Sequence, residues 1–204
     1  MTGTIGNVEQ RDHDDEKRYL KGKNGKVVET TDKNRKAFTK EQIKNVVDAA
    51  IKSGVEKLCF VSSIAACGKA AHGEMIDEES CWVDTAHRSP YSLSKYLSEQ
   101  EVWKGVARGL NAVIVNPGVI LGVSGTETGS SQLFSQVRKG LMFYTNGGSG
   151  YVYVQDVVKA MMLLANSQIS AQRFVLVAEN CSNRDVLSWM ADGFGKRRSF
   201  GPGR

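Results

Sequence analysis

This chain has little proline, no paired cysteines and no long apolar run, and each shortage excludes something. Only three prolines occur in 204 residues, and two of them, Pro90 and Pro117, sit inside the patterns that matter below. No apolar run approaches the roughly 20 residues that a membrane-spanning helix needs, so a membrane partner is not expected. Met1-Thr2-Gly3-Thr4 lacks the basic and apolar regions of a signal peptide. Cys59, Cys67, Cys81 and Cys181 form no Cys-x-x-Cys pair, and His13, His72 and His87 stand at no metal-ligand spacing from them. No metal is expected, and the cysteines read as reduced thiols of a cytoplasmic protein. The net charge of +5 reads as a solvated surface. The basic N-terminal stretch is interleaved with acids and poor in aromatics, which argues against nucleic acid as a partner.

What remains is an ordinary core-forming composition, 41% hydrophobic, enough for one sizeable domain. Residues 1–40 are crowded with Asp, Glu, Lys and Arg and read as a charged, poorly ordered segment or an insertion. Within it Val27-Val28-Glu29-Thr30-Thr31 can form a short strand or hairpin arm. From residue 41 to 194 the pattern is regular. Lys40 to Ser53 reads as an amphipathic helix with Ile43, Val46, Val47, Ala50 and Ile51 on one face. Thr39 and Gln42 offer a capping box. Lys57 to Ser62 reads as a strand apolar on both faces, hence part of a parallel sheet. Helices are expected from Ser89-Pro90 to about Arg108, over Ser130 to Lys139, Asp156 to Asn166 and Ser182 to Phe194. Gln155 or Asp156 should cap the third of these. Strands are expected over Asn111 to Pro117, Tyr151 to Val154 and Phe174 to Val177. Residues 195–204 read as a flexible tail. Strand and helix alternate, so the fold class is α/β: a partial Rossmann-like, doubly wound, mostly parallel sheet with the start of a small C-terminal substrate region.

Tyr91 and Lys95 stand one helical turn apart and share a helix face. A free tyrosine titrates near 10, too high for proton transfer near neutrality, and a neighbouring ammonium lowers that value. Such a pair can serve as a general acid/base. Alone, it is more often a solvated helix face. Ser62-Ser63 and Asn116-Pro117-Gly118 are equally unspecific by themselves, a strand end and a turn. Their order changes the reading. Both end predicted strands, the Tyr91 helix joins those strands, and ligands of open α/β sheets bind at the strands' carboxyl ends.

From about Asn45 to Ser182 the chain resembles the short-chain dehydrogenase/reductase superfamily, and within it the extended branch of NAD-dependent epimerase/dehydratase and dihydroflavonol-reductase-like proteins. The resemblance rests on residues 54–63, on Pro90-Tyr91-Ser92-Leu93-Ser94-Lys95 with Glu99, and on Asn116-Pro117-Gly118 through Gly122. It implies that Tyr91 is the catalytic acid/base, that Lys95 supports it and binds the nicotinamide ribose, and that Ser63 orients the substrate oxygen, with Ser62 the second candidate. It implies NAD or NADP as cofactor, contacted by Ser62, Tyr91, Lys95, Pro117, Gly118 and Val119. The partner it implies is a small-molecule carbonyl or hydroxyl substrate, and a homodimer stays open. Phe143, Tyr144 and Tyr151 are candidates for lining the substrate pocket or for ordinary core packing. Asp156 matches a frequent family position but reads better as a helix cap.

The family opens with a strand, a Gly-x-x-Gly-x-x-Gly turn and a helix whose N-terminus holds the pyrophosphate. No such element is present in the sequence. Two readings follow: an NAD(P)-dependent oxidoreductase or epimerase/dehydratase-like protein, or a truncated, non-catalytic remnant or binding protein of the same fold.

Overall fold

The computed structural model describes residues 39–68, 75–80, 82, 89–122 and 130–198, together with the backbone of two short strands before them. The chain divides into two units, Met1–Lys36 and Ala37–Arg204. In the first, β1 (Tyr19–Lys21) and β2 (Val27–Glu29) pair antiparallel, with Leu20 opposite Val28. The hairpin arm expected at Val27 is therefore present. Thr30-Thr31 and most of the charged stretch lie outside the described residues.

In the second unit α1 (Lys40–Lys52) starts at the expected capping box. Thr39 N–H donates to Gln42 Oε1 at 2.8 Å, and Gln42 N–H donates to Thr39 Oγ1 at 3.2 Å. Then follow β3 (Leu58–Val61), a 3-10 turn (Ile64–Ala66) and α2 (Pro90–Ala107). Ser89 Oγ accepts the Ser92 N–H, and Pro90 takes the first helical position, where an N–H is not needed. The remaining elements are β4 (Ala112–Pro117), β5 (Val119–Leu121), α3 (Ser131–Arg138), β6 (Gly148–Tyr153), α4 (Val154–Ala165), β7 (Gln172–Leu176), β8 (Glu179–Ser182) and α5 (Asn183–Gly193). None of the described helices is long and apolar enough to cross a membrane.

β3, β4 and β7 form a parallel sheet in that order. Its central strand, β4, is buried at every residue. Side chains alternate across a strand. Ala112 and Ile114 meet Ile43, Val47 and Ala50 of α1 and Val102 of α2. Val113 and Val115 meet Leu164 and Met161 of α4 and Cys59 of β3. A strand covered on both faces needs apolar side chains on both, which is why the run is continuous rather than alternating.

A second sheet joins β5 to β6 in parallel and β6 to β8 antiparallel. Its core is Val137, Tyr151, Val186, Leu187, Met190 and Ala191. Gly118 is the point where the chain leaves β4 for β5. A Cβ there would run into the Gly150 carbonyl oxygen, so only glycine allows this close approach.

The α/β class and the parallel sheet match the sequence reading. The 3-10 turn, β5 and β8 do not follow from it. Glu179-Asn180-Cys181-Ser182 has no strand pattern and becomes one by pairing with β6, Ser182 opposite Gly148. The cap assigned to Gln155 or Asp156 falls instead at Tyr153, which makes no side-chain cap bond. α4 begins directly after β6, leaving no loop in which a capping residue could stand. Asp156 lies in the first turn, 3.4 Å from Lys159. At the other end Arg198 forks onto Asp192 at 2.9 and 2.7 Å, so the segment after α5 folds back on that helix; residues 199–204 lie outside the described residues.

α1 and α2 approach closely at Gly105, where a Cβ would stand 2.5 Å from Val47 Cγ1. Gly105→Ala is therefore expected to destabilise the protein in a urea melt. Alanine favours the helix by about 1 kcal/mol, but forcing a methyl into a packed interface costs about 1–3 kcal/mol. In a Val47→Ala background, which removes the methyl that is struck, most of that cost disappears. Equal effects in the two backgrounds would rule the contact out.

Candidate functional site

The carboxyl ends of β3 and β4 lie side by side because Val61 pairs with Val115 and the Ser62 N–H donates to Val115 O at 2.8 Å. Ser62 thus stands beside Asn116. Both are buried, at 5% and 0% exposure, and the Ser62 Oγ and Asn116 Oδ1 atoms have no hydrogen-bond partner. Burying a polar group unpaired costs about 1–3 kcal/mol, so two such atoms at neighbouring strand ends call for a reason beyond packing. Ser63 caps the 3-10 turn: its Oγ accepts the Ala65 N–H at 3.2 Å, which leaves its own O–H to donate.

α2 brings Lys95 to this strand end. Its Nζ donates to Val61 O at 3.3 Å and stands 6.0 Å from the centroid of the Phe60 ring. Burial pulls the Lys95 ammonium below the usual lysine range, and the Glu99 carboxylate works against that pull. Tyr91, half-buried in the first turn of α2, is one turn before Lys95 on the same helix. The structure therefore gathers Lys95, Ser62, Ser63 and Asn116 at one strand end, with Tyr91 on the helix that carries Lys95. Pro117 closes β4, Gly118 donates its N–H to Leu176 O at 3.1 Å, and Val119 opens β5 and packs against the second core.

The aromatic candidates separate. Tyr151 is 8% exposed in the second core, its hydroxyl 3.4 Å from Asn183 Oδ1. Tyr144 packs against the same core, and Phe143 is exposed.

Beneath the strand ends lies a polar network that the sequence reading did not anticipate. Asn116 Nδ2 donates to Glu99 Oε1 at 2.5 Å and to Ser63 O at 3.0 Å. Arg173 of β7 stands 3.7 Å from Glu99 Oε2. Its Nε and Nη2 donate to Glu78 O at 2.8 Å and Ser80 O at 2.9 Å, and Glu78 Oε1 accepts the Val175 N–H at 2.8 Å. One arginine thus ties the buried carboxylate to the loop that covers β7. Trp82 stacks on Tyr96, the residue after Lys95, with ring centroids 4.3 Å apart. A cavity of about 570 Å³ opens beside Arg173 between Trp103 and Phe174; none of Tyr91, Lys95 and Ser63 lines it. Cys67 is fully buried beside this network. Burial pushes its thiol from the ordinary 9.0 up to about 11, opposed by Arg173 and reinforced by Glu99, Glu78 and Asp77. The sequence signals for the network were an arginine inside an otherwise apolar strand and an asparagine ending one. Among the described residues no cluster of His, Cys, Asp and Glu could hold a metal ion.

Residues 27–177 match the model of the NAD dependent epimerase/dehydratase family. A dihydroflavonol reductase-like protein of Synechocystis sp. is 28% identical over 176 residues, covering 78% of this chain and 49% of its own. Cinnamoyl-CoA reductase 2 of Arabidopsis thaliana is 27% identical, covering 74% of this chain and 48% of its own. The chain spans about half the length of these curated relatives. Among solved structures, the UDP-glucose 4-epimerase of Thermus thermophilus in complex with NAD is similar at a TM-score of 0.66 and 28% identity, over 79% of this chain and 56% of that one.

A thiol whose folded pKa lies above its unfolded one keeps its proton longer in the folded state. The stability it contributes is intact below pH 9.0 and is lost as the pH rises towards about 11. Denaturant melts between those limits are expected to show stability falling with pH. In Cys67→Ala the slope of that decline flattens, whatever the change in absolute stability; an unchanged slope would contradict the burial of a protonated thiol.

Proposed function

Because the chain belongs to the NAD-dependent epimerase/dehydratase family, we propose that it is an NAD(P)-dependent oxidoreductase or epimerase/dehydratase-type enzyme, acting on a carbonyl or hydroxyl carbon of a small molecule with Tyr91 as acid/base. The observation that carries this reading is the Lys95 hydrogen bond to Val61 O, which ties the Tyr91 helix to the strand end bearing Ser62 and Ser63. The residues fit the nicotinamide end of such a cofactor. An ammonium has three donors, and the Val61 carbonyl takes one of them, which leaves the others for ribose hydroxyls. No residue is assigned to the cofactor's phosphates.

A bound nicotinamide supplies or accepts the hydride. Ser63, with its O–H left to donate, holds the substrate oxygen. Tyr91 gives that oxygen a proton in the reductive direction and takes one back in the oxidative direction. Lys95 stabilises the phenolate formed when the proton leaves. Pro117, Gly118 and Val119, where the chain passes from β4 to β5, would hold the nicotinamide end, with Ser62 at the neighbouring strand end.

Titration of the chain with NADH and NADPH, followed by nicotinamide fluorescence, is expected to saturate with at least one of them. No saturable binding up to millimolar cofactor would sink the reading as an autonomous enzyme. Turnover is then measured with cinnamoyl-CoA and UDP-glucose, the compounds for which two relatives are named. Tyr91→Phe is expected to lower it by about 10²–10⁴-fold while cofactor binding stays. Equal turnover would remove Tyr91 from its role, and binding without turnover of any carbonyl substrate would favour a binding protein of the same fold.

A further inference from the structure

Glu99 is 1% exposed, and nothing in the reaction above uses it. It stands on α2 one turn beyond Lys95 and two beyond Tyr91, so the three side chains form one stripe along the helix. Its carboxylate is held at both oxygens, by Asn116 Nδ2 at 2.5 Å and by Arg173 Nη1 at 3.7 Å. Both partners are fixed in turn: Asn116 by the Ser63 carbonyl, Arg173 by the Glu78 and Ser80 carbonyls. A carboxylate buried this deeply needs a reason beyond packing, because an apolar side chain of similar volume commonly serves stability as well or better.

Its neighbour supplies the reason. The titratable or charged groups on the elements packed about Lys95 are Tyr91, Tyr96, Glu99, Glu101 and Lys104 on α2, Cys59 on β3, Arg173 on β7 behind Glu99, and Cys67 after the 3-10 turn. From β3 Lys95 meets the Val61 carbonyl and the face of Phe60. Of these, Glu99 is the anion one helical turn from Lys95 on the same face of α2.

We propose that Glu99 is a positioning residue for the Lys95–Tyr91 pair: clamped between Asn116 and Arg173, its carboxylate holds the Lys95 ammonium charged and aimed at the β3 strand end. The proposal rests on the catalytic reading of Lys95 for its purpose. Its physical content, a carboxylate acting on an ammonium, stands apart from any activity. Arg173 offsets the cost of burying Glu99 and couples that carboxylate to the loop residues Glu78 and Ser80. That loop's conformation and the charge on Lys95 thus share one arginine.

The test reads the Lys95 proton directly, in the full 204-residue chain without cofactor. Lysine labelled with ¹³C and ¹⁵N is titrated by NMR, the Lys95 signal being assigned by its absence in Lys95→Met. Lys95 is expected to lose its proton at lower pH in Glu99→Gln than in the wild type. Glu101→Gln, a carboxylate on the same helix that pairs with Lys104 at 2.8 Å, should leave it unchanged. An identical Lys95 midpoint in Glu99→Gln and wild type overturns the proposal, as does an equal shift in Glu101→Gln. Glu99→Gln leaves Arg173 without its anion and can fail to fold. In that case Arg173→Met is compared with Glu99→Gln/Arg173→Met, which leaves neither charge buried. A lower midpoint in the double variant supports the role, and no difference overturns it.

Discussion

The parallel pairing of β3 with β4 is the constraint on which everything else in the site depends. β4 is buried along its whole length, packed by α1 and α2 on one side and by α4 on the other. A strand so enclosed cannot slip, because a shift of one residue would exchange every side chain between the two faces. The register that pairs Val61 with Val115 is what sets Ser62 beside Asn116. It also fixes the Val61 carbonyl that Lys95 finds from α2. The candidate residues gather at the strand ends, where the ladder stops and leaves polar groups to other uses.

Around those ends the electrostatics alternate in sign. Lys95 is cationic, Glu99 anionic and Arg173 cationic, and the neutral Asn116 amide joins Glu99 to the Ser63 backbone. In a medium of low effective dielectric such a set is stable only if each member has its partners. That condition is met at Glu99 and Arg173 and left open at Asn116 Oδ1. It also gives the Met75–Ser80 loop a stake in the site, since Arg173 binds the loop's carbonyls and Glu78 binds the edge of β7. The same apolar surroundings that strengthen these pairs keep the Cys67 thiol protonated.

The local patterns were legible because their causes are local. The α1 capping box, the Ser89-Pro90 start of α2, and the apolar runs of β3 and β4 follow from propensities and periodicities of a few residues. What escaped was whatever another part of the chain imposes. β8 is a strand because β6 offers it a partner, not because Glu179-Asn180-Cys181-Ser182 favours one. Tyr153 ends up capping α4 because helix follows strand without a loop. Tyr151, a candidate for the pocket, faces the second core because α3 and α5 close over that side of β6.

By itself the sequence determined the family and the α/β class, and it singled out Tyr91, Lys95, Ser62 and Ser63 as candidates, since those depend on spacing along a helix and on where apolar runs stop. The tertiary structure alone decided that Glu99, Asn116 and Arg173 converge beneath that set. They come from three elements spread over 75 residues of sequence, Glu99 to Arg173, and no local pattern relates them. What relates them is the need of a buried carboxylate for partners, which only the packing of α2 against β4 and the order of the sheet can supply.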